Sequence, residues 1–185
     1  MRRGLALFAG IVVGVGIGLL VIGLLRGDDF PTISDSLNES AASETLALDS
    51  PAPDFELASL SGEQVALEDF RGQYVLLNFW ATWCGPCRLE MPAFQDRFKE
   101  YGGDLQIVAV NFDEAQHLVK NFVDELGLTF EVLLDPGAEI QRLYQVRGYP
   151  TSYFIDPAGV VRVIHIGLMT ESQLEGYLTD LGLEG

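Results

Sequence analysis

The 185-residue chain contains two cysteines and no others, three positions apart in Trp83-Cys84-Gly85-Pro86-Cys87. Their surroundings constrain the local architecture. The run Tyr74-Val75-Leu76-Leu77-Asn78-Phe79-Trp80 before them is almost wholly apolar and of strand length. Met91, Phe94, Phe98 and Tyr101 after them recur at helical spacing. A buried strand therefore delivers a dithiol to the start of a helix. There the free N–H groups and the helix dipole stabilise a thiolate and lower the pKa of the first cysteine. A vicinal partner can then capture the mixed disulfide and release product. Cys84, at the junction, is read as the attacking thiol. Cys87, one turn on and facing inward, is read as the resolving thiol. Gly85 and Pro86 make the active-site loop between them, and Pro86 suits a first helical turn. Arg88, four residues after Cys84, falls on the same helical side and is expected to add positive charge near the thiolate. Pro92 removes a helical hydrogen bond and predicts a kink.

Three other uses of the pair stand beside redox catalysis. A structural disulfide here would close a four-residue loop and constrain the unfolded chain little. A zinc site would need two further ligands, and His117 and His165 lie at unrelated spacing, so no metal is expected. Two inert buried cysteines would leave the strand-to-helix placement unexplained.

Residues 4–25 are uncharged and follow Arg2 and Arg3. As a helix they would be about 33 Å long, enough to cross the hydrocarbon core. The preceding arginines and the following Asp28 and Asp29 favour a cytoplasmic N-terminus, although Arg26 weakens the asymmetry. The run exceeds the apolar length of a secretory signal and ends in no small-x-small site. Residues 1–26 are therefore read as an uncleaved signal anchor, the alternative being a removed signal. This places the remainder at the cell membrane, on the extracytoplasmic side. Residues 27–52, acidic and rich in Ser and Ala without sustained period, are expected to form a flexible tether. A coil of that length spans roughly 25–30 Å. All 27 acidic residues but only eight of the 11 basic ones lie beyond residue 27, which argues against a nucleic-acid partner.

The folded domain is expected over residues 53–185. Phe55, Leu57, Val65 and Leu67 alternate on either side of Ser61-Gly62, a hairpin pattern. Residues 105–112 read as a buried strand. Residues 115–126 read as an amphipathic helix with Leu118, Phe122 and Leu126 on one face, and residues 130–134 as a further strand. Ile140, Leu143 and Tyr144 mark a short helix. Two strands flank the turn Asp156-Pro157-Ala158-Gly159, and Thr170 caps a final helix. Strand–helix alternation followed by a hairpin and helix gives an α/β fold with a mixed central sheet flanked by helices.

Trp83-Cys84-Gly85-Pro86-Cys87 resembles the thioredoxin active site. The longer phrase from Asn78 through Arg88-Leu89-Glu90-Met91-Pro92 resembles the membrane-anchored TlpA/ResA-like thiol-disulfide oxidoreductases, and the likeness runs from about residue 51 to the C-terminus. It implies a thioredoxin-like fold carrying an N-terminal β-hairpin and a central helix–strand insertion. It also implies a cis-proline at Pro150, where the residues alone suggest an ordinary strand-entry proline. Tyr149, Pro150 and Trp83 then become substrate-binding residues. Thioredoxin keeps an aspartate where Asn78 stands; the TlpA/ResA-like proteins instead keep a glutamate where Glu90 stands. Glu90 is thus implied as the proton acceptor for Cys87, against the plain reading of a solvated helix acid.

The implied activity is protein-disulfide reduction in exported proteins, with no cofactor beyond the redox-active Cys84–Cys87 disulfide. An integral-membrane thiol reductant is the implied electron donor. An apocytochrome c in cytochrome c maturation is the implied acceptor. Two rivals remain. A copper-delivery protein of related fold would need a third soft or imidazole ligand near the thiols. A thiol peroxidase would want a threonine where Ala81 stands.

Overall fold

A computed structural model describes residues 46–183. The anchor, residues 27–45 of the tether and residues 184–185 lie outside the described residues. Among the described residues no helix is long and apolar enough to cross a membrane.

Strand β3 (Tyr74–Trp80) shows why the domain has two cores. Side chains alternate across a strand. Leu76 and Trp80 enter one apolar cluster, while Val75, Leu77 and Phe79 enter another on the opposite face. The neighbouring strand β4 (Leu105–Phe112) repeats the division with Ile107 and Ala109 against Val108 and Val110. A strand buried on both faces must be central, which explains its continuous apolar run.

The remaining elements are β1 (Glu56–Ser59), β2 (Gln64–Ala66), a 3-10 turn (Leu67–Phe70), α1 (Gly85–Tyr101), α2 (Gln116–Leu126), β5 (Glu131–Asp135), α3 (Glu139–Leu143), β6 (Thr151–Ile155), β7 (Val161–Ile166) and α4 (Glu171–Asp180). The seven strands lie in the order β2-β1-β5-β4-β3-β6-β7. β3–β4 and β4–β5 are parallel and the other pairs antiparallel, so the sheet is mixed and thioredoxin-like, as expected. The α2–β5 insertion has a structural use, because β5 supplies the edge on which the hairpin docks, through Ala58 opposite Leu134.

Two expectations are corrected. Phe122 is buried as expected, but Leu118 is exposed and Val119 takes its place in the core. Pro92 lies within α1, which runs on past it to Tyr101. Seven residues of the expected tether, 46–52, take part in the described fold. The Asp49 N–H donates to the Val161 carbonyl at 2.8 Å, Val161 N–H to Ser50 at 2.9 Å, and Ala52 N–H to Gly159 at 2.9 Å. Strand β7 is a sheet edge, and this short stretch of chain covers its first residue, Val161, and the turn before it. Composition alone does not reveal that pairing.

Candidate active site

Past Trp80 the chain leaves the sheet through Ala81, Thr82 and Trp83. Glu114 pins this loop: its carboxylate accepts the Thr82 N–H at 2.7 Å, the Thr82 hydroxyl at 2.5 Å and the Asn111 amide at 2.8 Å. Cys84 then occupies the cap position of α1, where its Sγ accepts the Cys87 N–H at 3.2 Å. The two cysteines are joined, with an S–S length of 2.03 Å. Cys87 is sealed from solvent, whereas Cys84 keeps 4% of its surface exposed. Cys84 also lines an open pocket of about 460 Å³ with Trp83, Gly85, Pro86, Arg147, Gly148 and Tyr149. Of the two cysteines, the one read as attacking is thus the one at the pocket, though it is more buried than the sequence suggests.

Trp83 projects outward, 64% exposed, and meets the Tyr149 ring edge-on at 5.6 Å. The Tyr149 hydroxyl donates to Gln141 Oε1. The Tyr149–Pro150 peptide bond is cis, as the resemblance implies, and Pro150 is buried. Arg88 departs from expectation: its guanidinium pairs with Glu125 at 2.7 and 3.2 Å and lies over the Phe122 ring. Helical spacing allowed it to face Cys84, but α2 offered a carboxylate and an aromatic face together.

Glu90 is 1% exposed, which excludes a solvated surface acid. It follows Cys87 by three residues on α1, so both face the core. Its Oε1 accepts from Asn78 Nδ2 at 3.0 Å and its Oε2 from the Met169 N–H at 3.0 Å. Burial pushes its carboxyl up to about 7, against the downward pull of the Met169 and Asn78 donors. A carboxyl raised toward neutrality by burial, one helical turn from the sealed Cys87, suits proton exchange with the thiol that forms there once the disulfide opens.

Sequence reasoning missed Glu114, Arg147, Gln141 and the Met169 N–H. The first three are ordinary surface-type residues in sequence, and the last is a backbone group. Among the described residues, no group of three His, Cys, Asp or Glu side chains gathers as a metal site.

A family profile for AhpC/TSA matches residues 48–164. The chain belongs to the AhpC/TSA family. The thioredoxin-like protein YneN of Bacillus subtilis is 49% identical over 127 residues, covering 67% of this chain and 74% of the relative. The thiol-disulfide oxidoreductase ResA of Oceanobacillus iheyensis is 46% identical over 135 residues, 70% of each chain. A crystal structure from Chlorobium tepidum, assigned as the thiol:disulfide interchange protein DsbE, shares 36% identity with a TM-score of 0.67. That match covers 76% of this chain and all of the other. This AhpC/TSA member is accordingly a thiol-disulfide oxidoreductase of the ResA and DsbE type, and the resemblance read from residues 78–92 holds.

Proposed function

We propose that the chain is a membrane-tethered reductase of disulfides in exported proteins, with residues 1–26 as its anchor and its catalytic domain outside the cytoplasm. The observation that carries this reading is the asymmetry of the dithiol: an accessible Cys84, a sealed Cys87 and a buried carboxyl one turn beyond. The Cys84 thiolate attacks a substrate disulfide, forming a Cys84–substrate bond and releasing one substrate thiolate. Cys87 gives its proton to the Glu90 carboxylate and attacks the Cys84 sulfur. The Cys84–Cys87 bond forms, the second substrate thiolate leaves, and two electrons have passed to the substrate. Among the described residues, the Tyr149 backbone pairs with no other backbone group, leaving its N–H and C=O for an extended substrate segment.

Electrons come from an integral-membrane thiol reductant, and the cysteine pair of an apocytochrome c is the proposed acceptor. A peroxidase reading is less favoured, because Ala81 is buried and the neighbouring Thr82 hydroxyl is given to Glu114. The deciding measurement is the reduction potential against glutathione. A reductase is expected near the thioredoxin value of about −270 mV; a value near −120 mV would make the protein an oxidant. For the anchor, carbonate-washed membranes should retain the full-length chain, whereas a soluble product starting near Asp28 would mean a removed signal.

A further inference from the structure

Asn78 sits in the middle of β3, between Ala109 of β4 and Ser152 of β6, and none of it reaches solvent. Both hydrogens of its amide nitrogen are engaged, one by Glu90 Oε1 and the other by Ser152 Oγ, each at 3.0 Å. Its carbonyl oxygen is buried without a partner. Half a turn of the amide would set that oxygen against the Glu90 carboxylate, acceptor against acceptor. Orienting the group this way strands one acceptor and satisfies a charge. On the far side the Met169 N–H fills Oε2. Glu90 is therefore held between two donors, and the form that both donors serve is the ionised one.

We propose that Asn78 is a positioning residue that holds Glu90 ionised and ready to accept the proton of Cys87, with Ser152 fixing the orientation of the amide. The proposal rests on the reading of Glu90 as the proton acceptor. Burial alone drives a carboxyl toward the neutral state, in which it cannot take a proton; the Asn78 donor works against that drive. The titratable and charged groups on the neighbouring elements are engaged elsewhere. Cys84 and Cys87 on the helix of Glu90 are joined, and Arg88 is turned to Glu125. On β7, His165 points Nδ1 to the Tyr177 hydroxyl of α4 and Nε2 to the Leu168 carbonyl. Burial and the two N–H donors set the Glu90 titration.

The test follows Glu90 directly, in oxidised full-length protein labelled with ¹³C at the glutamate carboxyls, the signal being assigned by its loss in Glu90→Gln. Asn78→Leu, similar in volume but without donors, should move the Glu90 titration up by about one to two pH units. The alkaline-rising limb of disulfide reduction should move with it, so that turnover at pH 7 falls roughly 5–50 fold. Combined with Glu90→Gln, Asn78→Leu should cause no further shift of the pH profile. Should the leucine variant fail to fold, Asn78→Val, suited to a central strand, takes its place. An unmoved Glu90 titration in the folded variant overturns the proposal. A moved titration with an unmoved rate profile keeps Asn78 as the residue that orients Glu90 and overturns Glu90 as the proton acceptor.

Discussion

Glu90 is a carboxylic acid that folding pushes toward neutrality, and both rate and stability should register it. In Glu90→Gln the group that takes the resolving thiol's proton is gone, and disulfide reduction should slow roughly 10–100 fold, with loss of the pH-dependent step near neutrality. Stability gives a second readout. The folded carboxyl binds its proton more tightly than the unfolded one, so the folded state holds more protons between the ordinary value of about 4.3 and the folded value of about 7. Stability is then fully present below that window and declines as pH rises through it, on the order of 3–4 kcal/mol if nothing else titrates. Urea melts of the oxidised protein should show this decline, and the glutamine variant should lack it. How far these residues can be read in the sequence depends on how local their partners are. Cys84 and Cys87 depend on the adjacent strand and helix, so spacing revealed them. The partners of Glu90 come from Asn78 and from Met169, 79 residues away, and helical position left its burial open. Arg88 was misjudged for the same reason, because its partner Glu125 belongs to another helix.

The junction between β3 and α1 is where secondary structure becomes chemistry. Because Cys84 caps the helix and already accepts an N–H through sulfur, its thiolate should be the stabilised one once the disulfide is opened. Limiting alkylation of the reduced protein should label Cys84 well before Cys87; preferential labelling of Cys87 would reverse the two roles. The loop leading into the junction depends on Glu114. Replacing it by alanine deprives Thr82 of two bonds and Asn111 of one. A loss of about 1–3 kcal/mol in stability is expected from the stranded groups, together with slower turnover. Only the first half of this arrangement was legible. The apolar run and the helical spacing mark the junction, but nothing about Glu114 in an acidic chain distinguishes it from its many neighbours. The face of α2 was misplaced by one residue for a related reason: Leu118 and Val119 both satisfy an apolar pattern, and only the position of the sheet chooses between them.

At the scale of the whole domain, sheet topology explains both success and failure of reading from sequence. The two-sided burial of β3 and β4 leaves a continuous hydrophobic signature, so the central sheet was evident. The edge of the sheet leaves almost none, and residues 46–52 looked like tether although they pair with β7. A chain beginning at Pro53 should therefore be less stable than one beginning at Leu46, by about 1–3 kcal/mol for the lost backbone bonds and the buried Ala52, measurable in paired denaturant melts. Arg162, which joins Asp49 to Asp156, adds little of its own at an exposed site. That short pairing has a mechanical consequence. Tension applied from the N-terminal side meets the β7 edge first, where two residues, Asp49 and Ser50, share reciprocal backbone bonds with Val161. Those few bonds should give way before the sheet does. Single-molecule pulling should record a small, reversible extension at low force, and the dithiol, at the end of the interior strand β3, should remain assembled until the sheet itself ruptures.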